Sequence, residues 1–190
     1  MPTYLHVMKN LIIHPADAST DFLKPIYANI SEATIIHAGV SKAQIKQLIT
    51  EHDRIIMMGH GSPSGLFSCA KFGDNDYSGF VIDHTMVEEL SSKECIAIWC
   101  NADKFMNQHE LNGFYSGMFI SEVGEAKYCG LPDTILETVT ISNNYFSSLV
   151  GEVINEPLSV IYEHVKENYG LLTEDNPVAL YNHNRLYLAE

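Results

Sequence analysis

Short apolar runs recur along this chain: NLIIH, ATIIHA, IIMM and CIAIW. Between them lie stretches whose apolar residues fall on one helical face. Strands that are apolar throughout, rather than alternating, must be covered on both sides, and that requires a mainly parallel sheet with helices on each face. The runs place strands over 10–14, 33–38, 55–58 and 95–99, with a fifth over 115–120. Ser19, Thr20 and Asp21 offer N-caps for a helix through Phe22, Leu23, Ile26, Tyr27 and Ile30, and Ser41 caps one through Ile45, Leu48 and Ile49. After a long polar loop, a helix is expected from about 82 to 90, and Ser121 opens a short one through Val123, Ala126 and Tyr128. TILETVTISNNYFSSLVGEVI and EPLSVIYEHVKENYG read as two amphipathic helices, and the tail from Pro177 reads as extended.

At 190 residues the chain is expected to form one domain, 1–190, with a core large enough to need no disulfide or structural metal. A formal net charge of −13 argues against a nucleic-acid partner, which demands clustered Lys and Arg. The opening residues lack the pattern of a secretory signal, and no apolar run approaches the ~20 residues that cross a bilayer, so no membrane partner is expected. Cys69, Cys95, Cys100 and Cys129 form no C-x-x-C pair, which disfavours a zinc site or a redox dithiol. Free thiols in a cytoplasmic protein are the simplest reading. The sequence sets no oligomeric state.

Right-handed crossovers turn the carboxyl ends of parallel strands the same way, and ligands bind beyond those ends. His14, His60 and Cys100 follow the first, third and fourth strands. With the third and fourth strands adjacent, His60 and Cys100 enter one crevice, where an imidazole can take the proton of a thiol that is otherwise only a few per cent ionised. The glycines of GHG admit close approach of a substrate carbonyl, so the N–H groups of Gly61 and Cys100 can hold an oxyanion. Ser62 and Ser64 both miss the G-x-S-x-G frame, and no G-K-[ST] follows, so neither a serine nucleophile elbow nor a phosphate loop fits. The loop over 62–79 borders the crevice and is long enough to carry function.

A hydrophobic block ending in His-Gly (IIMMGHG), followed about forty residues later by one ending in cysteine (CIAIWC), resembles the caspase-like cysteine peptidases, the group of caspases, metacaspases, legumain, clostripain, gingipains and separase. The resemblance spans roughly 10–130. It implies a three-layer α/β fold with a mainly parallel sheet of order 2-1-3-4-5-6, and a peptidase acting on peptide or protein substrates without cofactor or metal. It makes His60 the catalytic histidine, Cys100 the nucleophile and Gly61 an oxyanion-hole donor. Many relatives have a small residue before the cysteine and Gly or Ser soon after it, whereas here Trp99, Asn101, Ala102 and Asp103 surround Cys100. Clostripain and gingipains cleave after Arg or Lys, and Asp17, Asp103 and Glu122 are the acidic candidates for such a pocket, with His14 as a wall. A catalytically inactive caspase-like binding module and a flavodoxin-like ligand-binding domain remain as alternatives.

Overall fold

The computed structural model describes residues 7–68 and 79–190. Cys69 and most of the long loop therefore lie outside the described residues. The architecture is α/β, a mainly parallel six-stranded sheet with helices on both faces. Strands β1 (Asn10–Ile13), β2 (Ala33–Ile36) and β3 (Arg54–Met58) are followed by a small antiparallel sheet of β4 (Gly61–Ser62), β5 (Gly65–Phe67) and β6 (Phe80–Ile82). The main sheet then continues with β7 (Glu94–Ile98), β8 (Gly113–Ser116) and β9 (Leu186–Ala189). Its order is β2-β1-β3-β7-β8-β9, and only β9 runs antiparallel to its neighbour.

The strands are apolar on both faces because two cores need them. Leu11, Ile13, Ile55, Met57, Cys95, Ala97 and Trp99 pack on one side with Ile45 and Ile49 of α1 (Lys42–Glu51), Leu90 of α2 (Val87–Leu90), and Phe105 and Met106 of α3 (Ala102–Gln108). Alternate residues Ile12, Ile56, Met58, Ile96 and Ile98 face the other side. There they meet the 3-10 helix Ala18–Tyr27, α5 (Leu136–Glu152) and α6 (Leu158–Gly170). Between β8 and α5 lies α4 (Val123–Tyr128), and α7 (Pro177–His183) precedes β9. Among the described residues no helix is long and apolar enough to cross a membrane.

Several elements differ from the sequence reading, each for a local reason. The segment after β1 is 3-10 rather than α and is capped by Asp17, with Pro25 inside it removing a donor that an α-turn requires. The fifth strand is Gly113–Ser116 rather than 115–120. Phe119 and Ile120 are buried, but the backbone N–H and C=O of Ile120 bond the side-chain amide of Asn182 instead of a strand. Ile82 closes β6, so the helical stretch expected from 82 to 90 reduces to a 3-10 turn, His84–Met86, and α2. The tail from Pro177 is helical before it becomes a strand.

At the opposite end of β3 from the histidine, Arg54 is fully buried. Its guanidinium donates from Nε and Nη2 to Glu94 Oε2 at 3.0 and 2.6 Å, from Nη1 to Ile154 O at 2.6 Å and from Nη2 to Glu156 O at 2.8 Å. It thereby ties the sheet to the turn between α5 and α6. Arg54→Ala removes the donors of two carbonyls and leaves a void, so it is expected to cost about 3–5 kcal/mol. The midpoint and slope of urea unfolding would measure it, and a loss under 1 kcal/mol would contradict the role given to this side chain.

Candidate active site

The parallel ladder between β3 and β7 pairs Met57 with Ala97 and Met58 with Ile98, and Gly59 N–H continues it to Ile98 O at 3.1 Å. His60 and Cys100 each stand two residues beyond the last paired rung. Adjacent strands lie about 4.8 Å apart, so equal offsets bring the two residues to the same end of the sheet. Both line one narrow cleft with Thr20, Phe22, Leu23, Ile98, Phe119 and Ser121. Its free volume is about 10 Å³, room for a single water.

Cys100 sits where the chain leaves β7 and turns into α3. Asn101 takes a left-handed conformation, φ 67°, which asparagine tolerates better than most residues, and its N–H bonds Gly117 O at 3.1 Å. Trp99 points the other way, into the first core against Phe105, and its Nε1–H donates to Ser62 O at 3.1 Å. The indole leaves no space for a Cβ at position 61, so packing alone requires Gly61. Phe67 N–H donates to His60 O at 2.8 Å, which makes the next rung, Gly61 opposite Leu66, a non-hydrogen-bonded pair with its N–H turned away from β5.

The two side chains have different environments. The thiol of Cys100 is aimed at Phe119 O, 3.2 Å away, and at Glu125 Oε1, 3.6 Å away. Burial, reinforced by the Glu125 charge, pushes its pKa up to about 12. Glu125 is held in turn by Ser121 N–H at 2.7 Å, Ser121 Oγ–H at 3.0 Å and Glu122 N–H at 3.1 Å, all on Oε2. His60 instead contacts a hydroxyl: its Nε2 lies 2.7 Å from Ser19 Oγ, and Ser19 donates both N–H (2.9 Å) and Oγ–H (2.7 Å) to Asp17 Oδ1.

The residues proposed from sequence for a substrate pocket separate. His14 and Asp17 line a second cavity of about 360 Å³ at the ends of β1 and β2, together with Asp21, Lys24 and His37. Asp103 and Glu122 line neither cavity. Glu122 is exposed at the start of α4, and Asp103 lies in the first turn of α3, where its charge raises the pKa of Tyr115 after burial does so. His14 is a buried hub rather than an open wall. Thr20 Oγ–H donates to Asp17 O, so its lone pair accepts Nε2–H of His14 at 3.0 Å, and His14 Nδ1 accepts the Tyr27 hydroxyl at 3.0 Å. Cys95, as expected of a structural thiol, is buried, with its pKa driven to about 12 chiefly by desolvation. In the sequence Ser19 reads only as a helix cap, and no local pattern marks Glu125. Among the described residues no cluster of His, Cys, Asp and Glu has metal-binding geometry.

No known protein-family profile matches the chain, and no curated protein matches it. Among solved structures it is similar to the RcsB response regulator of Salmonella typhimurium at 10% identity, over 93% of this chain and 98% of that one. The TM-score of 0.33 carries no functional weight.

Two outcomes follow from these environments. Burial and the nearby His37 lower the pKa of His14 from 6.5 to about 4. Below pH 6.5 the unfolded chain binds a proton that folded His14 refuses, so stability is intact above that pH and is lost as pH falls towards 4. Urea midpoints measured across this window should fall in the wild type and fall less in His14→Gln. For Cys100, Glu125→Gln removes a charge that opposes thiolate formation, so the thiol pKa drops while burial keeps it above its ordinary value. Iodoacetamide should then alkylate Cys100 faster at pH 8, and an unchanged rate would show that Glu125 exerts no control over the thiol.

Proposed function

We propose that the chain is a caspase-like cysteine peptidase that hydrolyses peptide bonds with His60 and Cys100. One observation carries the reading: in-register pairing of β3 with β7 brings an imidazole and a thiol into the same cleft at the carboxyl ends of the strands. The main-sheet order supports it, because the six strands counted along the chain run 2-1-3-4-5-6 with the last antiparallel.

In this mechanism Cys100 Sγ gives its proton to His60 and attacks the substrate carbonyl carbon. The N–H groups of Gly61 and Cys100 stabilise the oxyanion, a contribution of roughly 3 kcal/mol per donor in hydrolases. The tetrahedral intermediate collapses to a thioester as His60 protonates the departing amine. Water, deprotonated by His60, then attacks the thioester and releases the acid and the free thiol. With the thiol pKa near 12, proton transfer must accompany substrate binding that displaces the contacts to Phe119 and Glu125.

Those same contacts favour a second reading, a caspase-like module that binds without cleaving. A thiol held protonated in a cleft with room for one water is a resting state that needs no turnover to explain it.

Incubation of a mixed peptide library with the purified protein and with Cys100→Ala, read by mass spectrometry, separates the two. The peptidase reading expects cleavage by the wild type and none by the variant. The residue before each cut then reports whether the cavity beside Asp17 and Asp21 selects a basic side chain. A wild type that cuts nothing, and whose Cys100 resists alkylation, leaves the binding module.

A further inference from the structure

We infer that Ser19 and Asp17 are positioning residues for His60, forming a relay that fixes which imidazole nitrogen carries the proton. A hydroxyl has one proton to donate. Ser19 Oγ–H is committed to the carboxylate Asp17 Oδ1 at 2.7 Å, so toward His60 Nε2, also at 2.7 Å, the hydroxyl oxygen can only accept. Nε2 therefore bears the hydrogen and Nδ1 is the bare nitrogen, the one able to take a proton from Cys100. The chain of bonds ends on the Asp17 carboxylate, which holds the hydroxyl in this orientation.

The relay is held by the fold. Asp17 caps the 3-10 helix through Ser19 N–H at 2.9 Å, which sets the carboxylate over that turn, and Thr20 Oγ–H bonds Asp17 O at 3.0 Å. Thr20 in turn engages His14, the residue after β1, so this loop is anchored at the end of the strand next to β3, which leads into His60. Histidine tautomers are set by the bond at the other nitrogen, and the wrong tautomer in a nucleophile–histidine pair abolishes most of its catalysis. The relay's kinetic consequence rests on the peptidase reading, but its effect on the imidazole does not.

Two-bond proton–nitrogen correlation spectra of protein labelled with 15N-histidine read the tautomer directly. In the wild type His60 should be protonated on Nε2 with Nδ1 bare. Ser19→Ala should give a mixture of both forms, Ser19→Thr should restore the single form, and His14, set by Thr20 and Tyr27, should not change in either. A wild-type His60 protonated on Nδ1 overturns the relay without any variant, as does a Ser19→Ala protein whose His60 signal is unaltered. Asp17→Asn keeps a competent helix cap but removes the charge. On a cleaved peptide Ser19→Ala should lower kcat on the order of 10-fold to 100-fold with KM little changed, part of the ~10²–10⁴-fold supplied by a general acid–base group, and Asp17→Asn should lower kcat by a similar factor. If the wild type cuts no peptide while His60 shows the expected tautomer and its response to Ser19→Ala, the peptidase reading fails and the relay stands. Cleavage with an unresponsive tautomer removes the relay alone.

Discussion

The parallel pairing of β3 with β7 is the constraint on which the site depends. Backbone hydrogen bonds set its register, from Arg54 opposite Glu94 to Met58 opposite Ile98. A slip of β7 by one residue against β3 would turn Ala97 toward the helices that now cover Ile98 and carry Ile98 into the other core. Since both cores are filled by residues matched to their own side, that slip is opposed by every buried rung. The position of Cys100 relative to His60 is thus enforced by burial far from either side chain. Arg54 supports the same pair from its other end, joining β3 to Glu94 on β7 and to the carbonyls of the α5–α6 turn.

Beyond the ladder, the two sides of the cleft are finished by different loops. The loop after β1 brings a carboxylate, a hydroxyl and the imidazole into line. The segment after β8 brings a carbonyl and a second carboxylate to the thiol. The first arrangement fixes the proton on one nitrogen of His60, and the second disfavours an anion at Cys100. Together they leave an oriented imidazole and a protonated thiol at the two sides of one cleft. The contacts that hold the thiol come from Phe119, between β8 and α4, and from Glu125, in the first turn of α4, rather than from the β3–β7 framework.

Much of this was legible in the chain itself. Unbroken apolar runs identified the parallel strands because residues buried on two faces cannot alternate with polar ones. His60 and Cys100 were legible because each ends such a run. Ser19 and Glu125 were not, because their partners lie 41 and 25 residues away and no local pattern marks them. The strand expected over 115–120 was misplaced for a related reason. Phe119 and Ile120 are as apolar as a strand would make them, but Asn182 on α7 satisfies the backbone of Ile120. The pocket residues divided likewise. Nothing in the spacing of Asp17, Asp103 and Glu122 indicates that the first lies beside His60 and the other two outside the cleft.

By itself the sequence determined the class of the fold and the two residues that end its central strands, since apolar periodicity and chain direction follow from local chemistry alone. Only the tertiary structure decided what those residues experience. Proton placement on His60, the raised pKa of Cys100 and the burial of His14 all arise from groups distant in sequence that packing brings within hydrogen-bond reach. Electrostatic environment depends on distance and desolvation, and neither exists until the chain has folded.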